Sequence, residues 1–302
     1  MAKTVRGMIV PLATPLEENG RPDLAAVSRL ASIQIAAGID VLFVLGTTSE
    51  FYGFTLADRR RILETVCEAA DGRVPVIVGV SADSTPAAVE TLGELRLAAV
   101  DGFVASTPYF MGYSQAELAR HFLALADAAG GPVILYNYPG RYRHLIEIDT
   151  IAGLLARGAV SAIKDTDGDF TYMLRLLELK RQYPAFGVFE GALQNLDRAG
   201  RLAIDGSVQA IANLWPEECA ALWRQVGAGD WPVLEAGVKR LWKFHRDIEG
   251  VAVFIRALKG AMALRGFSSA AVVAPMVAVD EAGLARLRVL MDGAYPGWGE
   301  RG

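Results

Sequence analysis

Thiols, imidazoles and runs of like charge are scarce in this chain. Its two cysteines, Cys67 and Cys219, each fall within a helical apolar pattern with no second thiol nearby. They read as reduced core residues of an intracellular protein, and no disulfide framework is expected. Three histidines, His121, His144 and His245, stand far apart without ligand spacing, which leaves no metal site to predict. Basic residues number 30 against 34 acidic, a net charge of −4 with no basic tract. Nucleic acid and anionic membrane are therefore not expected partners. No apolar run approaches membrane-spanning length, and residues 1–6 carry charge without a long apolar stretch behind them. Neither a membrane span nor a secretory signal is expected, and the predicted location is the cytoplasm.

What the chain has is bulk. Hydrophobic residues make up 52% of its 302 positions and charged residues 21%, the balance of a globular protein with one large interior, at a length that a single α/β barrel fills. Apolar, β-rich runs at 7–12, 41–45, 74–80, 103–106, 133–136, 160–163, 186–189 and 207–211 predict eight strands. Helix signals separate them. Pro22-Asp23 opens a helix to about 37, Thr55 with Asp58 and Ser114 with Glu117 read as capping boxes, and Thr85-Pro86 is a helix start. Further helices are predicted at 149–156, from Asp169 to about 182, at 193–203 and at 216–226. Eight units at a spacing of about 25–30 residues imply a closed (β/α)8 TIM barrel over residues 1–226, with a doubly wound open sheet as the rival. Over 227–302 the strands stop and helices are predicted at 231–246, 251–264 and 280–291, a C-terminal helical extension packed on the barrel.

In such a barrel, ligand sites gather at the C-terminal ends of the strands. One of those ends is a lysine: Lys164 closes the sixth predicted strand. A buried ammonium gives up hydration, which favours the neutral amine, a nucleophile toward carbonyl carbon. The other reading has Lys164 lean outward and pair with Asp165 or Asp167 in water. Tyr136 closes the adjacent strand and carries a phenol suited to proton transfer during imine formation. The turn Gly46-Thr47-Thr48-Ser49 offers two hydroxyls and backbone N–H groups that suit a carboxylate. Tyr109 and Phe110 follow the fourth strand, Glu190 and Gly191 the seventh, and Gln209 the eighth.

With Gly46-Thr47-Thr48-Ser49-Glu50, Thr107-Pro108-Tyr109, Tyr136-Asn137-Tyr138-Pro139, Ile163-Lys164-Asp165-Thr166 and Ala212-Asn213 in this order, the chain resembles the class I pyruvate-dependent aldolases and dehydratases. That family is typified by dihydrodipicolinate synthase and N-acetylneuraminate lyase, and the resemblance runs from about residue 7 to the end. It implies that Lys164 forms a Schiff base with a 2-oxo acid, that Tyr136 moves the protons, and that Thr47 and Thr48 hold the substrate carboxylate. It also implies a homotetramer and no cofactor, because the imine itself is the electron sink. Glu50 is expected to be structural, bonding buried loop N–H groups, and Thr166 to lie within reach of substrate.

The departures bear on the substrate. Ser49 stands where the family has glycine, and Phe110 where a second tyrosine usually enters the proton relay across a subunit interface, so Tyr109 or water would replace it. Ala192-Leu193-Gln194 lacks the acidic residues that neuraminate lyases offer to sugar hydroxyls. Arg141 falls where dihydrodipicolinate synthases bind a carboxylate, and Gln209 replaces a small residue. The leading expectation is a lyase that cleaves a 2-oxo acid to pyruvate or dehydrates a 2-keto-3-deoxy sugar acid. The alternatives are the condensation of pyruvate with aspartate semialdehyde, that is, 4-hydroxy-tetrahydrodipicolinate synthase, and a non-catalytic small-molecule-binding barrel.

Overall fold

Runs of valine, isoleucine and leucine with no polar alternation form strands covered on both faces, and the only way to cover a parallel sheet on both faces without edges is to close it. In the computed structural model, which describes residues 5–298, β1 (Gly7–Pro11), β2 (Val41–Val44), β3 (Val76–Gly79), β4 (Gly102–Ser106), β5 (Val133–Asn137), β6 (Val160–Asp165), β7 (Gly187–Glu190) and β8 (Gly206–Val208) pair in parallel, each with the next, and β8 pairs back onto β1. This is the predicted (β/α)8 barrel. Residues 1–4, which carry most of the N-terminal stretch read as no secretory signal, lie outside the described residues.

The helix signals cap as expected, except that at Thr55 and Asp58 only half of the predicted box forms: the Asp58 carboxylate takes the Thr55 hydroxyl in place of its backbone N–H. Asp23 accepts from Ala26 N at 2.9 Å, Thr55 from Asp58 N at 3.1 Å, and Asp169 from Thr171 N at 2.8 Å. Ser114 and Glu117 form a reciprocal capping box. The first three strands are trimmed by one to three residues, and two later elements are also shortened. After β8 the chain leaves the ladder for a single 3-10 turn, Ala210–Asn213, because the Asn213 amide takes over the backbone partners: it donates to Pro11 O and Ala210 O, both at 2.9 Å, and accepts from Ala13 N at 2.8 Å. The predicted helix at 193–203 is a 3-10 turn, Leu193–Asn195, and a short helix, Leu196–Gly200. Three strands are longer than predicted, β4 by one residue at its start, and the other two matter more. β5 runs on through Asn137 and β6 through Asp165, so Lys164 is a rung of the ladder rather than its frayed end.

The helical extension consists of Trp231–Glu249, Phe254–Leu264 and Glu281–Ala294. It packs on the barrel through Trp215, whose ring lies 4.2 Å from that of Tyr295 and 5.9 Å from that of Phe244. A buried ion pair ties it to the loop after β2. Glu50, at φ 58°, sends Oε1 to Lys259 Nζ at 2.5 Å and accepts from Val273 N at 2.7 Å through Oε2. Both side chains are fully buried. Glu50 is structural, as expected, and the loop N–H that it bonds is that of Val273 in the distant extension. Cys67 and Cys219 are free thiols.

Candidate active site

Side chains alternate along a strand, so a residue's parity decides whether it enters the barrel or the layer outside. Ala162 belongs to the inner barrel cluster and Ile163 to the outer core. Lys164 follows Ala162 inward and Asp165 follows Ile163 outward. In the ladder Lys164 stands between Tyr136 on β5 and Phe189 on β7. Its Nζ lies 3.9 Å from the Tyr136 ring centroid and 5.4 Å from that of Phe43. The residue is 7% exposed, and unlike Lys180 and Lys259 it takes part in no ion pair among the described residues. The pairing with Asp165 or Asp167 does not form: the Asp165 carboxylate accepts from Asn137 Nδ2 at 2.7 Å on the other side of the sheet. Its Nζ thus faces aromatic rings, with no carboxylate paired to it among the described residues.

Lys164 and Tyr136 open into a cavity of about 430 Å³ that Thr47, Thr48 and Arg141 also line. Thr47 starts the 3-10 turn Thr47–Ser49, and its hydroxyl lies 2.7 Å from the phenol oxygen of Tyr142. Ser49 does not loosen that turn, because its hydroxyl donates to Gly46 O at 3.0 Å. Arg141 comes from the short helix Pro139–Tyr142, its guanidinium 5.8 Å from the Tyr138 ring centroid.

Thr166, Gly191 and Gln209 complete the wall. The Thr166 hydroxyl is buried without a hydrogen-bond partner, an unusual state for a polar atom unless a ligand supplies the bond. Gln209 Nε2 donates to Ser207 Oγ at 2.8 Å. Gly191 has no room for a side chain: a β-carbon there would lie 2.2 Å from Thr166 Oγ1 and 2.8 Å from Asp165 O. Gly191→Ala is therefore expected to lower stability by about 1–3 kcal/mol through overpacking, read by urea denaturation; an unchanged midpoint would mean that the wall yields freely. Tyr109 and Phe110 do not line this cavity. Tyr109 packs on Tyr142 at 5.7 Å, and Phe110 is 71% exposed.

Behind the lysine, on the outer side of the ladder, Asp165 and Glu190 are register partners. Burial pushes Asp165 up to about 7 against the bonds from Asn137 and Asp167 N, and Glu190 up to about 8 against its bond from Ala192 N. Glu190 Oε2 has no partner. Both values lie above the unfolded ones, so the protonated acids favour the fold. That contribution is complete below about pH 4 and is lost as pH rises through 7 and 8. Urea midpoints are expected to fall from about pH 5 to about pH 9, and Glu190→Gln, which keeps the acceptor for Ala192 N, should flatten the upper part of the curve. A midpoint that climbs across that range contradicts the assignment.

The far wall escaped sequence reading. Trp242, His245, Glu249 and Phe254 of the extension line the same cavity. The His245 ring stacks on Phe254 at 4.2 Å, and its Nε2 lies 3.6 Å from Glu249 Oε1. Burial pushes the imidazole down from its usual range, with Glu249 opposing. The one available signal was the i, i+3, i+7 spacing of Trp242, His245 and Glu249 along one helix face. Among the described residues no group of three metal-ligating side chains forms, and no helix is long and apolar enough to cross a membrane.

The model of the Dihydrodipicolinate synthetase family matches residues 4–293. A 4-hydroxy-tetrahydrodipicolinate synthase from Acidiphilium cryptum is 32% identical over 295 residues, 95% of this chain and 97% of the relative. Among solved structures, a prophage protein of the dihydrodipicolinic acid synthase family from E. coli, in complex with pyruvate, is 27% identical with a TM-score of 0.90, covering 96% of this chain and 98% of that one. Dihydrodipicolinate synthase from Bacteroides thetaiotaomicron is 25% identical with a TM-score of 0.90, covering 95% and 98%. Barrel, extension and sequence agree over nearly the whole length, and the chain belongs to the dihydrodipicolinate synthetase family.

Proposed function

We propose that this class I aldolase-type lyase acts on a 2-oxo acid through an imine on Lys164. The carrying observation is the unpaired amine in its aromatic cage, in register with Tyr136. Nζ attacks C2 of the oxo acid, Tyr136 carries a proton to the carbinolamine oxygen, and water leaves. The resulting iminium draws electrons from C3, so a C3 proton can depart and a bond from C3 to C4 can form or break, or a C4 hydroxyl can be expelled; hydrolysis then returns the amine. Thr47 and Thr48 stand where two hydroxyls can hold the carboxylate, and the unpartnered Thr166 hydroxyl suits a substrate oxygen further along.

The sequence alone favours cleavage to pyruvate or dehydration of a 2-keto-3-deoxy sugar acid. Condensation of pyruvate with aspartate semialdehyde is favoured by Arg141 in the cavity wall and by relatives at 29–34% identity that are 4-hydroxy-tetrahydrodipicolinate synthases. Phe110, taken from the sequence as opposing it, stands outside the cavity of the single chain. With Met111 it forms an exposed apolar pair that supports burial in a homotetramer. The test is reduction with borohydride in the presence of pyruvate, followed by mass spectrometry for an adduct on Lys164. A panel of sugar acids and aspartate semialdehyde, scored for pyruvate release, dehydration and condensation, separates the two readings: turnover of the semialdehyde alone would overturn the first.

A further inference from the structure

Tyr142 enters none of these steps, yet it is as deeply enclosed as Tyr136. It is 4% exposed and ends the helix Pro139–Tyr142. Arg143 at φ 67° turns the chain immediately after it, and Thr107 Oγ1 donates to its carbonyl at 3.2 Å. Its ring stands edge-on to Tyr136, centroids 5.4 Å apart at 73°. Its hydroxyl meets Thr47 Oγ1 at 2.7 Å, where either oxygen can donate.

That hydrogen bond has two senses, and they present opposite faces to the substrate. When Tyr142 donates, the Thr47 proton is free to point into the cavity; when Thr47 donates, its lone pairs are. The sequence from carbinolamine to enamine needs both at different moments: a donor while the carbinolamine oxygen gains its proton on the way to the imine, and an acceptor while C3 of the imine then loses one.

We propose that Tyr142 is a positioning residue for proton transfer at this site, setting the donor or acceptor sense of Thr47 and fixing the ring of Tyr136. It is supplied by the same chain, and it does the work expected of Tyr109 or water. This inference rests on the imine reading. Burial, the largest cause, pushes the phenol well above its ordinary range, so the hydroxyl passes a proton on and does not hold a charge.

The test uses pyruvate alone. In deuterated water an enzyme-bound enamine exchanges the methyl protons of pyruvate, which proton NMR follows. At saturating pyruvate, Tyr142→Phe should slow exchange about 10- to 100-fold and shift its pH profile, while the Michaelis constant for pyruvate and borohydride trapping on Lys164 stay near wild type. Thr47→Val breaks the same bond from the other side and should slow exchange likewise, with the double variant no slower than the worse single one. Exchange within about twofold of wild type in Tyr142→Phe, or in Thr47→Val should the first variant fail to fold, overturns the inference while leaving the imine standing. Absence of trapping in the wild type overturns the imine reading itself.

Discussion

Lys164→Ala is expected to abolish the borohydride-dependent pyruvate adduct and to lower turnover by roughly 10⁴-fold or more, the scale seen when a nucleophile is removed from a site that still binds. The variant should nevertheless fold as well as wild type. Lys164 neutralises no carboxylate among the described residues, so its removal strands no opposite charge, and the cost of keeping an amine at 7% exposure disappears with it. Loss of turnover with an unchanged or higher urea midpoint is the expected pair of results. An adduct that survives the substitution would place the chemistry on another amine.

Glu50→Ala should do the reverse. It leaves the Lys259 ammonium uncompensated in a fully buried position and takes the acceptor from Val273 N, a loss of about 3–5 kcal/mol for breaking a buried pair. Burial alone already pushes Lys259 below its ordinary range, with Glu50 opposing. Adding Lys259→Met removes the stranded charge, so the double variant should recover much of that loss. If the two losses simply add, the pair is not the unit described here. Because the pair anchors the loop that begins with Thr47 and Thr48, pyruvate binding should weaken alongside stability.

The contrast between these lysines shows what a sequence can and cannot tell. Lys164 was legible because it ends an apolar strand and because strand ends converge on one rim. Lys259 was not: a lysine in a helical pattern reads as solvated, and only the docking of Phe254–Leu264 against the β2 loop makes it internal. Tyr142 hid for a related reason, since Pro139-Gly140-Arg141-Tyr142 reads as loop and nothing local announces a bond to Thr47, 95 residues away. Asp165 looked like a partner for Lys164 until register put them on opposite faces of one strand. The eighth strand ended early because a side chain, Asn213, supplied the hydrogen bonds that a ladder would have made. Periodicity carries the elements and their order; contacts that need two distant segments to meet are not in it.

The cavity is built from two parts of the chain under unequal constraint. Its floor is a closed ladder in which moving Lys164 by one residue would exchange the amine for a carboxylate. Its far wall is Trp242, His245 and Phe254, on helices that contribute no strand to the ladder. Insertions, deletions and substitutions there can lengthen, shorten or re-polarise the far end of the cavity without disturbing the register of Lys164. A lineage built this way can change what the cavity accepts while keeping the lysine in its place, and the extension is where such divergence would accumulate.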